Sequence, residues 1–223
     1  MADDAMAQEV YWVEPKKRGV LPLDKFHLSR SLAKTLQSGS FTTSVDRAFE
    51  AVIEACADRA ETWINTQIAE AVIALHDIGH AHSIEVWDND TLVGGLYGVR
   101  LGRAFFGESM FSRATDASKV ALAHLVVRLR AGGYTLLDCQ FITPHLASLG
   151  AIEISRSAYC AMLSAAVLPP PSAGAAGAGA SGEGDFWAFD VWCPGVSSAP
   201  EFAFWADGAG SPWFIWHALT QTS

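Results

Sequence analysis

Apolar and polar positions change rhythm several times along the middle of the chain. Two short apolar runs, SIEVW at 83–87 and LVGGLYGV at 92–99, are separated by the polar triplet Asp88-Asn89-Asp90. Runs of that length about such a turn predict a β-hairpin. A third run at 103–106 follows Gly102 and predicts another strand. The spacing then becomes helical: Ala117, Val120, Ala121, Leu125 and Leu129 recur at one-turn intervals, and Gly132-Gly133 closes the segment. A fourth strand is predicted at 134–139, delivering Asp138 and Gln140 at its far end, two residues apart and so on one face. The pattern predicts a half-buried sheet with a helix laid on it.

Further helices are predicted on either side. In FHLSRSLAKTL, residues 26–36, Leu28, Leu32 and Leu36 form an apolar face, Ser29 is a candidate N-cap, and Arg30 and Lys34 share the polar side. Residues 45–57 are amphipathic, with Phe49, Val52, Ile53 and Cys56 inward. Thr62-Trp63-Ile64-Asn65 opens a third helix over 67–78. Helical patterns return at 145–150 and 156–167 and end before Pro169. Residues 169–184 are rich in Pro, Ala and Gly and read as a linker. Residues 185–223 carry many tryptophans and phenylalanines, a tail too apolar to float free; it packs on the body or on a partner.

Composition narrows the classes. The chain has 223 residues, half of them hydrophobic, enough for one substantial core. Its four cysteines form no CxxC pair, which points to a reducing cytoplasm. The N-terminal stretch lacks a signal-peptide pattern, and no apolar run is long enough to span a membrane. The formal net charge of -9 suits either simple solubility or a cationic substrate. His76, His80, His82 and Glu85 have a spacing that suggests zinc, but a predicted helix-to-strand turn divides them, so no metal site is expected. Glycines 94, 95 and 98 inside a predicted strand mark a bulge or a close backbone approach.

The segments HAHSIEVW, LVGGLYGV, FFGESMFSR, ASK and LLDCQ, followed by HLASLGA, occur in that order. Together they resemble the signature of the bacterial leucyl/phenylalanyl-tRNA–protein transferases, and the likeness extends from about Tyr11 to about Leu163. The resemblance implies transfer of leucine or phenylalanine from charged tRNA to proteins beginning with arginine or lysine, which marks them for N-end rule degradation. It implies an acyl-CoA N-acyltransferase-like (GNAT-like) α/β domain over 16–168, with a mixed sheet flanked by helices and a truncated small N-terminal segment, 1–15, before it. A helix that the family carries ahead of YWVEP has no counterpart, so a start further upstream or a real truncation is expected. No cofactor is implied, and the partners are leucyl-tRNA, phenylalanyl-tRNA and the acceptor protein; the chain is expected to act as a monomer.

Residue roles follow from the same resemblance. It places the catalytic centre at Asp138 and Gln140. It sets Glu108 at the substrate's amino group, although pairing with Arg113 or Lys119 is the structural alternative. Trp63, Leu96, Phe105, Met110, Leu122, Leu125 and Leu137 are implied around the aminoacyl end; ordinary core packing would equally explain any one of them. Arg30 and Lys34 are implied on the tRNA backbone, a thinner basic patch than relatives show. Thr143 stands where relatives often have asparagine, so a proton relay there would need its hydroxyl or a water. Two competitors remain. A true acyl-CoA transferase should carry a glycine-rich pyrophosphate loop, which ESMFSRATDASK lacks; a non-catalytic binder of aminoacyl-tRNA or basic N-termini is the other.

Overall fold

The computed structural model describes residues 13–167. The N-terminal residues 1–12, the expected linker at 169–184 and the aromatic tail at 185–223 lie outside the described residues. Seven strands form one mixed sheet in the order β2-β3-β4-β5-β6-β1-β7. They are β1 (Lys17–Val20), β2 (Thr42–Val45), β3 (Ala81–Asp88), β4 (Thr91–Leu101), β5 (Ala104–Ser112), β6 (Leu136–Gln140) and β7 (Ile152–Ser155). The helices are α1 (Arg30–Ser38), α2 (Phe49–Ala57), α3 (Thr66–Asp77), α4 (Ala117–Ala131), α5 (Pro144–Ser148) and α6 (Arg156–Val167). Among the described residues only β5 and β6 pair in parallel, and α4 makes the crossover between them.

The predicted hairpin is β3–β4, with Asp88 opposite Thr91 and Asn89 in the left-handed conformation (φ 52°) that a tight turn demands. Ser29 caps α1 by accepting the Leu32 N–H at 3.2 Å. Asn65 caps α3 by accepting the Ile68 N–H at 2.9 Å. The α/β class and the mixed sheet flanked by helices are as expected.

Helix α4 covers one face of the sheet, where Ile84, Leu96, Phe105 and Leu137 meet Val120, Leu125 and Leu129 in the main core. Opposite, α2 and α3 pack on Ala81, Tyr97 and Phe111, and α6 packs on Val20, Ala104 and Leu136. Gly94 lets α4 approach, because a Cβ there would stand 2.5 Å from the Ala117 Cβ. The three short strands β1, β2 and β7 were not foreseen. The expected helix at 45–57 begins only at Phe49, since Val45 ends β2. KRGV and TTSV carry too few apolar residues to announce strands; their pairing with long neighbours makes them so.

The third strand is the larger departure. It runs to Ser112 rather than stopping at Phe106. Gly98 faces Gly107 while Tyr97 faces Ser109, so Glu108 is the extra residue of a β-bulge. A bulge slips the alternation by one residue. Phe105 and Met110 therefore both contact the α4-side core although they are an odd number of residues apart. Gly98 is required here: a Cβ on it would lie 2.3 Å from the Phe106 carbonyl oxygen.

Candidate active site

Strands β5 and β6 pair over three residues, Ala104 to Phe106 against Leu136 to Asp138, and then part. Glu108 stands on the β5 side of the opening, thrown there by its bulge. Gln140 stands on the β6 side, where the strand ends in a left-handed conformation (φ 62°). The Gln140 Nε2 donates to Glu108 Oε2 at 2.8 Å across the split. Burial raises the Glu108 pKa; the Gln140 hydrogen bond opposes that shift, the Asp138 charge adds to it and Arg18 counteracts it. Neither structural partner offered for Glu108 is used, because Lys119 bonds Asp116 at 2.8 Å and Arg113 lies 3.8 Å from Asp58.

Beside this pair lies a cavity of ≈ 240 Å³. Its apolar wall is Leu96, Met110, Leu122, Leu125 and Leu137, five of the residues named from sequence, and Glu108 and Trp63 also line it. Phe105 does not line it; the ring is fully buried in the core. The α4 helix supplies the two leucines because its inner face is apolar through several turns. Sequence reasoning missed Tyr97, His145 and Arg59 on the wall. Arg59 donates to the Ser109 hydroxyl at 2.6 Å and to the Cys56 carbonyl at 2.7 Å, which fixes it there. Cys139 also lines the cavity, but burial, helped by the Asp138 charge, pushes its thiol up to about 12, so it stays protonated and non-nucleophilic. Thr143 accepts the Leu146 N–H at 3.1 Å as the cap of α5.

Asp138 is placed differently. Its strand neighbours Leu137 and Cys139 line the cavity, whereas Asp138 itself is fully buried and off that wall. Arg18 Nε donates to both carboxylate oxygens at 3.0 Å, and its Nη2 donates to Oδ2 at 2.8 Å. The Tyr159 hydroxyl donates to Oδ2 at 2.6 Å. The Gln140 backbone N–H donates to Oδ1 at 2.7 Å. These bonds form a relay of position: Arg18 and Tyr159 hold Asp138, Asp138 holds the Gln140 backbone, and the Gln140 side chain holds Glu108. Tyr159 remains a donor, since burial and then the bond to Asp138 raise its pKa. Arg18 was not singled out from the sequence; only the pairing of β1 with β6 brings it to Asp138.

The description "Leucyl/phenylalanyl-tRNA protein transferase" belongs to the family model that matches residues 20–164, most of the chain. The chain belongs to the leucyl/phenylalanyl-tRNA protein transferase family. Relatives bearing that name are 64% identical in Rhizorhabdus wittichii over 79% of this chain and 73% of the relative. In Zymomonas mobilis the identity is 62% over 75% of this chain and 64% of the relative. In Cereibacter sphaeroides it is 60% over 75% and 78%. Among solved structures, L-PGS from Bacillus licheniformis overlaps with a TM-score of 0.42 and 12% identity over 58% of this chain and 47% of that one, too slight a likeness to assign a fold class. The span matched by the transferase family model contains the cavity wall, Glu108, Asp138, Gln140 and Tyr159, and stops short of Arg18.

Away from the cavity, Arg30 and Lys34 are exposed, one turn apart on α1. His76 and His82 are committed elsewhere: the His82 Nδ1 lies 2.7 Å from Asp46 and the His76 Nδ1 lies 2.9 Å from the Ala81 carbonyl oxygen. Among the described residues no helix is long and apolar enough to cross a membrane.

Proposed function

We propose that the chain transfers leucine or phenylalanine from aminoacyl-tRNA to the N-terminal Arg or Lys of acceptor proteins, as a cytoplasmic monomer. One observation supports the reading most: an apolar cavity ends at a carboxylate that an amide holds in place. An esterified leucine or phenylalanine has that complementary form, an apolar side chain and an ammonium on one α-carbon. In this reading Leu96, Met110, Leu122, Leu125 and Leu137 take the side chain, and Glu108 takes the ammonium. Met110 adapts its thioether to a branched or a planar guest. Trp63, half-buried on the cavity lining, offers a stacking surface for the terminal adenine, and Arg30 and Lys34 meet the tRNA backbone.

The acceptor's neutral amine attacks the ester carbonyl, the carbon–oxygen bond to the ribose breaks, and the amine proton passes to the departing hydroxyl. The ester is already activated, so positioning supplies much of the rate. Gln140 orients Glu108 through Nε2 and offers its amide oxygen to an N–H of the incoming amine. Asp138 is a positioning residue in this scheme, acting through the Gln140 backbone. The parallel β5–α4–β6 unit within a mixed sheet supports a GNAT-like fold.

The test is incorporation of labelled leucine from charged tRNA into a peptide beginning with arginine. Transfer that depends on Gln140 and Glu108 is expected. Binding of charged tRNA without transfer, or acyl transfer from an acyl-CoA instead, would overturn the reading.

A further inference from the structure

Tyr97 lies on β4 opposite Ser109, immediately beside the bulge that carries Glu108. The residue is fully buried, its ring set edge-on to Phe49, and it is among the residues that line the cavity. Its hydroxyl is buried without a hydrogen-bond partner. Leaving a buried hydroxyl unsatisfied is costly, and phenylalanine would avoid the cost at the same volume.

We propose that Tyr97 is a second recognition contact for the α-ammonium of the esterified amino acid, its hydroxyl oxygen accepting one N–H while Glu108 accepts another. The inference rests on the assignment of Glu108 to that ammonium. Donor counting favours it. An ammonium has three N–H groups to place. Glu108 Oε2 already accepts from Gln140, which leaves Oε1 as that carboxylate's outward acceptor. Tyr97 supplies a further acceptor from the neighbouring strand, at the register position next to the bulge. A role for this hydroxyl as a donor to the developing oxyanion is disfavoured, because negative charge there would form beside the Glu108 carboxylate. A cation bridging carboxylate and phenol carries no such penalty.

The experiment compares equilibrium binding of leucyl-tRNA and of its deamino analogue, isocaproyl-tRNA, to wild type and Tyr97→Phe at one salt concentration, with thermal melting of each unliganded protein. The variant is expected to bind leucyl-tRNA about tenfold more weakly, to bind the analogue unchanged, and to melt at or above the wild-type temperature. Equal weakening for both ligands would make Tyr97 a shape element only. A lower melting temperature would give the hydroxyl an internal structural partner, and either result overturns the proposal. If wild type does not distinguish the two ligands, the Glu108 assignment fails and Tyr97 falls with it. A wild-type preference that survives Tyr97→Phe intact overturns Tyr97 alone.

Discussion

Gln140 and Glu108 meet at 2.8 Å where their strands have ceased to pair, so a single side-chain bond spans the mouth of the split. That bond ties a half-buried acid to the end of the neighbouring strand. Burial raises the Glu108 pKa, so part of the protein's stability is present at low pH and is lost as pH rises through the folded value. Ammonium binding needs the opposite state, the ionised carboxylate. The advantage of charged over uncharged tRNA should therefore appear only as pH climbs above the ordinary carboxylate range. Glu108→Gln should abolish that dependence, reduce the advantage by about tenfold to a hundredfold, and stabilise the empty protein more at high pH than at low. Binding curves at several pH values decide it. An unchanged advantage in the variant would place the ammonium elsewhere.

Asp138 should behave as a keystone rather than a reactant. Removing its charge leaves the Arg18 guanidinium, which is about 20% exposed, without its anion. Asp138→Asn should cost less than the roughly 3–5 kcal/mol of breaking a fully buried pair, because that exposure lets water reach Arg18. It should also weaken the hold on the Gln140 backbone, since an amide oxygen accepts less strongly than a carboxylate, and slow transfer. Arg18→Met should reproduce both effects, although Arg18 is off the cavity wall. Melting temperatures and single-turnover rates of the two variants and their double variant test the coupling. If Asp138→Asn stops transfer at wild-type stability while Arg18→Met does neither, Asp138 touches the reacting groups directly.

The hairpin and α4 were legible in sequence because period and length separate strand from helix there, whereas the five apolar wall residues were named from the family resemblance. Glu108 was named as a site candidate, yet its position inside a strand was not foreseen. A bulge is decided by how two strands register, and the glycines of LVGGLYG signal only that some irregularity exists. Asp138 and Gln140 were expected to share a face by simple alternation. The left-handed backbone at Gln140 ends that alternation. Arg18 and Tyr159, which fix Asp138, are 120 and 21 residues from it in sequence, and no local pattern links them. Tyr97 and His145 looked like ordinary strand and helix residues; nothing in spacing reveals that their polar atoms go unpartnered at a cavity.

Leu122 offers a test of the apolar wall. It is buried on α4 and lines the cavity, so Leu122→Phe would intrude on the guest's side chain. Overpacking of this kind costs about 1–3 kcal/mol where the surroundings cannot yield. The larger guest should suffer more: the kcat/KM ratio of leucyl to phenylalanyl transfer is expected to rise, with leucyl transfer retained. Equal losses for both amino acids would mean that Leu122 only packs the core.

Arg30 and Lys34 carry the last prediction. They stand one helical turn apart on the exposed side of α1, on a chain whose formal net charge is -9. A protein that neutralises few phosphates releases few counterions, so the affinity for tRNA should fall only shallowly as salt rises. Each phosphate contact contributes a slope of about 0.7–0.9 in a plot of log affinity against log salt. Replacing both residues by glutamine should therefore flatten the slope by about 1.4–1.8 and weaken charged and uncharged tRNA alike. Glu108→Gln, by contrast, should change the charged-to-uncharged ratio and leave the slope alone. The pair of variants thus separates electrostatic docking of the tRNA body from recognition of its aminoacyl end. A steep wild-type slope that survives loss of Arg30 and Lys34 would locate the tRNA on a different basic surface of the fold.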